Sequence, residues 1–146
     1  MLAPSLLSVV HLIGLALGVG AATVKLVLLL QSRSNPALVP VFLSVVRPIT
    51  KVIILGLVLL LASGIGWIAM GRPFTSTLVA KSVLVAALFI LGPIIDNVVE
   101  PKYRAAAPRS GEAASAEFLR AQQRFLALEI AATGIFYVIV VAWAWH

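Results

Sequence analysis

The chain has 146 residues, 62% of them hydrophobic and 11% charged, with a mean hydropathy of +1.12. Soluble domains hold about 45–50% apolar residues, so this composition excludes a soluble domain and predicts an all-α integral membrane protein. The net charge of +6 comes from basic residues scattered at helix ends and loops, which sets nucleic acid aside as a partner and makes the basic residues topology signals. Cysteine is absent, which removes disulfides, thiolate metal sites, iron–sulfur clusters and cysteine nucleophiles together.

In chain order, the apolar segments are each long enough for the roughly 20 residues that cross a 30 Å hydrocarbon layer. Together they leave no room for a second domain, and one four-helix transmembrane bundle over residues 1–146 is expected. MLAPSLLSVV carries no Lys or Arg and its apolar run outlasts the core of a signal peptide, so the first helix is expected to be retained. Helix one spans about 4–30, and a loop at 31–41 follows, broken by Asn35-Pro36 and Pro40. Helix two covers about 42–70, with Pro48 in a first turn or at a kink. The short turn Gly71-Arg72-Pro73 makes helices two and three antiparallel neighbours. Helix three covers about 74–99, with a kink at Gly92-Pro93 and an end at Pro101. The Ala/Ser-rich stretch 101–112, with Pro108 and Ser110-Gly111, reads as a solvated loop. Helix four runs over about 113–145, Glu112 and Glu117 complementing its N-terminal dipole.

Four crossings place both termini on one side. The two longer loops and their flanks hold Lys25, Arg33, Arg47, Lys51, Lys102, Arg104, Arg109, Arg120 and Arg124, whereas the termini and the short turn hold only Arg72. The positive-inside rule therefore puts the termini on the non-cytoplasmic side of the membrane and the two long loops in the cytoplasm. Trp67, Trp143 and Trp145 then fall at the outer ends of helices two and four, where an aromatic belt is expected.

The ionisable residues within the spans carry the functional reading, because a charge in hydrocarbon is costly unless it meets a partner. In helix one, His11, Gly14, Gly18, Ala22 and Lys25 recur at steps of three and four and share a face. Gly14-x-x-x-Gly18 is a spacing that lets a second backbone or a flat ligand come close. His11 reads either as a neutral imidazole bonded to a neighbouring helix or as an axial ligand of haem iron. Lys81, about seven residues into helix three, lies at the same depth, roughly 10 Å below the outer surface. It reads as a snorkelling amine, as a partner of a cofactor carboxylate, or as a neutral amine that ligates or moves a proton. Lys25, Asp96 and Glu129 gather near the inner surface, as an ion-pair cluster or as a proton or substrate path.

Three segments, VVHLIGLALGVGAA, LASGIGW and FTSTLVAKSVLVAALFILG, resemble the small membrane bundles that include the HemJ-type protoporphyrinogen oxidases and the CopD-like proteins. The resemblance implies a b-type haem bound by His11, with Lys81 functional. Copper transport, which the CopD side would imply, meets a chain with two methionines and no cysteine. The leading expectation is therefore haem b or a related tetrapyrrole in the outer half. In it His11 is the metal ligand, Gly14 and Gly18 clear space for the ring, and Lys81 pairs with a carboxylate or supplies the second ligand in electron transfer or tetrapyrrole oxidation. The alternatives are a non-catalytic subunit of a homo-oligomer or larger membrane complex, and a small proton-coupled transporter using Lys25, Asp96 and Glu129.

Overall fold

The computed structural model describes residues 2–73, 75–109 and 112–144, with side chains described within 6–141. Its elements are α1 (Leu2–Ser34), a single 3-10 turn (Pro36–Leu38), α2 (Val39–Ala69), α3 (Ser76–Ile94), a π-helical turn (Ile95–Val99), α4 (Glu100–Ala106) and α5 (Ala116–Ala144). α3, the π turn and α4 form one continuous rod, so four helical units are long and apolar enough to cross a membrane. In lipid every backbone N–H and C=O must be satisfied within the segment, and a helix does this. The outward faces carry large aliphatic side chains such as Val9, Val24, Ile54, Ile90 and Val138, as lipid-facing surfaces do. The fold is a four-helix transmembrane bundle, with the start of α1 and the end of α5 on the same side as the α2–α3 turn.

Helix boundaries depart from the sequence reading where proline was taken as a stop. The expected loop 31–41 is nearly all helical: α1 continues to Ser34, and Asn35 alone leaves the helical region (φ −132°, ψ 97°), its side chain accepting from the Ala37 N–H. Pro40 then falls in the first turn of α2, where a missing N–H costs nothing. Pro48 lies inside α2. Pro101 likewise fails to end its helix, which runs on to Ala106. The Glu100 N–H bonds the Ile95 carbonyl, so the ladder has already slipped by one residue before the proline arrives. Gly71 takes the one positive φ among the described residues, +86°, in the turn after α2. Ser115 starts α5, its hydroxyl accepting from the Phe118 N–H at 3.1 Å; Glu117 lies in that first turn, whereas Glu112 stays in the loop and accepts from the Arg109 N–H. Ser110-Gly111, Trp145 and His146 lie outside the described residues, as does the Trp143 side chain.

α1 is the central element, packed along α2 on one side and α5 on the other, and α3 lies along α5. The short turn joins α2 and α3 as expected of antiparallel neighbours, but α3 packs chiefly on α5 rather than on α2. Two apolar clusters fill the interior. One, at the end carrying the α1–α2 and α4–α5 loops, is aromatic: Phe42, Tyr103, Phe118 and Phe125 with Leu29, Val39, Val46, Ile95 and Leu126. The other forms a mid-bundle layer of Ala22, Leu57, Leu60, Leu88, Phe136 and Ile139.

Candidate functional site

Two polar constellations lie on α1, 14 residues and therefore about 21 Å apart along its axis. At the terminal end, His11 of α1 is half-buried and its Nδ1 lies 2.9 Å from Ser63 Oγ of α2. The Ser63 hydroxyl is fully buried and donates to the Leu59 and Leu60 carbonyls at 2.8 and 3.0 Å. A hydroxyl has one proton; when it goes to a carbonyl of its own helix, Ser63 accepts from His11 Nδ1–H. In that arrangement Nε2 keeps its lone pair. The Trp67 ring, one turn further along α2, lies 4.8 Å from the imidazole at 43°, and the Arg72 guanidinium covers Trp67 at 4.7 Å. Lys81 of α3 is half-buried and within electrostatic reach of His11. Sequence reading had Trp67 as a belt residue and did not single out Ser63. The signal was present, since Gly56, Ser63 and Trp67 fall at helical multiples on one face of α2.

Of the two occupants expected beside the glycine stripe, a second backbone or a flat ligand, the structure has the backbone. A Cβ at Gly14 would lie 2.9 Å from the Gly56 carbonyl oxygen, and one at Gly18 would lie 2.9 Å from the Phe136 ring. A Cβ at Gly56 would lie 2.5 Å from the Gly18 nitrogen. The space beside Gly14 and Gly18 is thus filled by the backbone of α2 and by an α5 ring, and these glycines serve helix packing rather than a cofactor ring. The imidazole donor fits an axial ligand; the glycine cradle does not fit a macrocycle. No family model matches the chain, and no curated protein or solved structure matches it significantly.

At the loop end, the structure brings Lys25, Asp96 and Glu129 together. Lys25 Nζ lies 2.6 Å from Glu129 Oε1 of α5 and 3.3 Å from Asp96 Oδ1 of the π turn. Thr50 Oγ1 of α2 donates to the same Asp96 oxygen at 3.4 Å, so all four spans contribute. Lys25 and Glu129 are each 3% exposed and Asp96 22%. The ammonium also stands over the Phe125 ring, 5.6 Å from its centroid. A second charge group follows toward the loops: Glu100, 3% exposed, accepts from Arg104 Nη2 at 2.9 Å and pairs with Arg47 Nε at 3.5 Å. Arg104 also donates to the Leu43 carbonyl. Glu100 was missed by the sequence reading because Pro101 was taken to end the helix, which put Glu100 at a solvated boundary. Below it Tyr103 stacks on Phe118 at 5.1 Å and meets Phe125 edge-on at 5.3 Å.

Proposed function

We propose that the protein binds b-type haem or a related tetrapyrrole in the half of the bundle that holds His11, and serves electron transfer or tetrapyrrole oxidation. On the positive-inside rule that half faces away from the cytoplasm, and the membrane we propose is a bacterial inner membrane. The observation that supports this reading is the Ser63 hydroxyl 2.9 Å from His11 Nδ1: when it accepts the Nδ1–H proton, Nε2 is left with the lone pair that an axial imidazole requires. Metal-bound histidines characteristically donate their other ring N–H to such a partner. Trp67 limits the ring's rotation. Lys81 offers an ammonium to a carboxylate of the ligand, or a nitrogen as second donor.

The bound tetrapyrrole supplies the redox chemistry, and the protein sets its orientation and potential. Any macrocycle must lie away from Gly14 and Gly18, whose faces are occupied. The side of α3 offers itself, since α3 carries no buried side chain before Leu88. Absorption spectra of the detergent-solubilised chain, produced with haem supplied and read oxidised and then dithionite-reduced, test the reading. A Soret band that shifts on reduction and is lost in His11→Ala is the expected result. A colourless protein, or a Soret band unchanged in His11→Ala, overturns it.

The rival reading, an accessory subunit packing against partner helices through its small-residue stripe, draws less support. Gly14 and Gly18 are already used within the chain, against Gly56 and Phe136.

A further inference from the structure

The charges at the loop end fall into two sets. Lys25, Arg47 and Arg104 stand against Asp96, Glu100 and Glu129, three cations to three carboxylates, and these close on one another. Outside that balanced set the same end carries Arg33, Lys51, Lys102, Arg109, Arg120 and Arg124, all exposed, against the exposed acids Glu112 and Glu117. Six cations against two acids leave a surplus of four positive charges on the rim of the bundle.

Lys51 and Asn97 are set apart from the rest of that rim by their surroundings. Lys51 is exposed on α2 beside Val52, Ile54 and Leu55, and Asn97 is exposed on the π turn between Ile94 and Val98, all of them lipid-facing aliphatics. The Asn97 amide donates one proton to the Pro93 carbonyl at 2.9 Å and keeps a second. The Thr50–Asp96 hydrogen bond holds the two residues at one level. Because α2 and α3 run antiparallel, the residues that follow Thr50 and Asp96 turn, by about 100° each, to the same side of the seam between the helices. Ile95, which precedes Asp96, is buried on the inner side, so the shared side is the outer one. Arg47, one turn back along α2 and 70% exposed, reaches Glu100 across it. Trp67 at the far end of α2 is 16 residues from Lys51 and 20 from Arg47, close to the roughly 20 that cross the hydrocarbon layer. The two cations therefore stand at the depth of lipid phosphates, within reach of a flexible lysine stem.

We propose that the outer side of the α2–α3 seam at the loop end binds one anionic phospholipid. Lys51, Arg47 and Asn97 hold its phosphate, and an acyl chain lies along the exposed Ile54 and Ile90. An ammonium, a guanidinium and an amide N–H are the donors a phosphate accepts from, and basic pockets between membrane helices on the cytoplasmic side take anionic headgroups. The carboxylate nearest this side, Asp96, already has its charge answered by Lys25, and Glu100 has Arg47 and Arg104, so the incoming phosphate meets the uncompensated charge of Lys51. The aliphatic flanks of Lys51 and Asn97 select a lipid over a soluble anion, and the surplus of positive charge selects an anionic headgroup over a zwitterionic one. This inference does not rest on the haem reading: a protein without a Soret band leaves it intact.

Electron spin resonance of the full chain in phosphatidylcholine vesicles, with a trace of spin-labelled phosphatidylglycerol or spin-labelled phosphatidylcholine, reads which headgroup is held at its surface. Phosphatidylglycerol is expected to be immobilised in preference. Lys51→Gln should lower that preference about fivefold, the effect of one cation at an anionic surface, and Asn97→Leu should lower it as well. Arg120→Gln, which removes an exposed cation from α5, should leave it nearly unchanged. Equal retention of the two lipids overturns the proposal. So does a loss in Arg120→Gln as large as that in Lys51→Gln, which would mean a diffuse field rather than a site. Ile54→Cys, in a chain with no other cysteine, tests for a second copy on the seam: efficient disulfide cross-linking between chains would also overturn it.

Discussion

The two ends of this bundle are held together by different physics. At the loop end, four spans converge on the Lys25–Asp96–Glu129 group and on the packed rings of Tyr103, Phe118, Phe125 and Phe42. At the terminal end, α1 and α2 meet backbone to backbone at Gly14, Gly18 and Gly56, one imidazole–hydroxyl bond ties them, and α3 contributes no buried side chain before Leu88. Lipid tails are as apolar as leucine, so hydrophobicity does not drive helices together in a bilayer; close packing and polar contacts do. The loop end relies on polar contacts and aromatic fill, the terminal end on close approach. The first kind of contact fixes all spans at once. The second fixes only the pair that touches and leaves α3 loosely covered.

This contrast is tested most severely by Lys25→Met, which leaves two buried carboxyl groups without their cation. Breaking a buried pair by removing one partner costs roughly 3–5 kcal/mol, and denaturant unfolding of the reconstituted protein should register a loss of that order. Lys25→Met/Glu129→Gln should recover much of it. Equal stability of the single and double variants would show that the cluster is not the clamp of the loop end.

The glycine seam gives a smaller effect. Gly56→Ala places a methyl against the backbone of α1, and overpacking of this kind costs about 1–3 kcal/mol. Gly134→Ala, where an added Cβ meets nothing within 4 Å, should instead stabilise by up to about 1 kcal/mol through helix propensity. Thermal unfolding of the two variants side by side makes the comparison, and similar behaviour would mean that the backbones are not in contact.

The smallest effect on stability is expected at Ser63. Ser63→Ala should leave folding within about 1 kcal/mol of wild type, yet weaken haem binding on the order of 10- to 100-fold, as loss of a metal ligand's outer partner does. Titration of the apoprotein with haem measures this. An unchanged affinity would separate the His11–Ser63 bond from ligand binding and return it to helix packing.

Much of the loop-end cluster was legible beforehand. Lys25, Asp96 and Glu129 are the charges that fall within apolar runs at one depth, and charges in hydrocarbon find each other. Glu100 was not legible, because a proline after it reads as a helix end unless the π turn ahead of Pro101 is known. Ser63 hid for a different reason: serine is common in membrane helices and bonds its own backbone, so its second role as acceptor for His11 depends on the rotation of α2 about α1. Gly14 and Gly18 were rightly picked out as a face of close approach, but a stripe of small residues does not say whether a backbone or a flat ligand will occupy it.

Composition and apolar run length determined by themselves that the chain is a bundle of four membrane-spanning helices, because in lipid no other arrangement of these segments satisfies the backbone. They also determined the depth of each ionisable residue, since the rise per residue of a helix is fixed. Only the tertiary structure decided which faces meet. It set Gly56 against Gly14 and Gly18, turned Ser63 toward His11, moved α3 onto α5 and closed the charge cluster, because helix rotation and neighbour choice follow from side-chain fit between segments far apart in the chain.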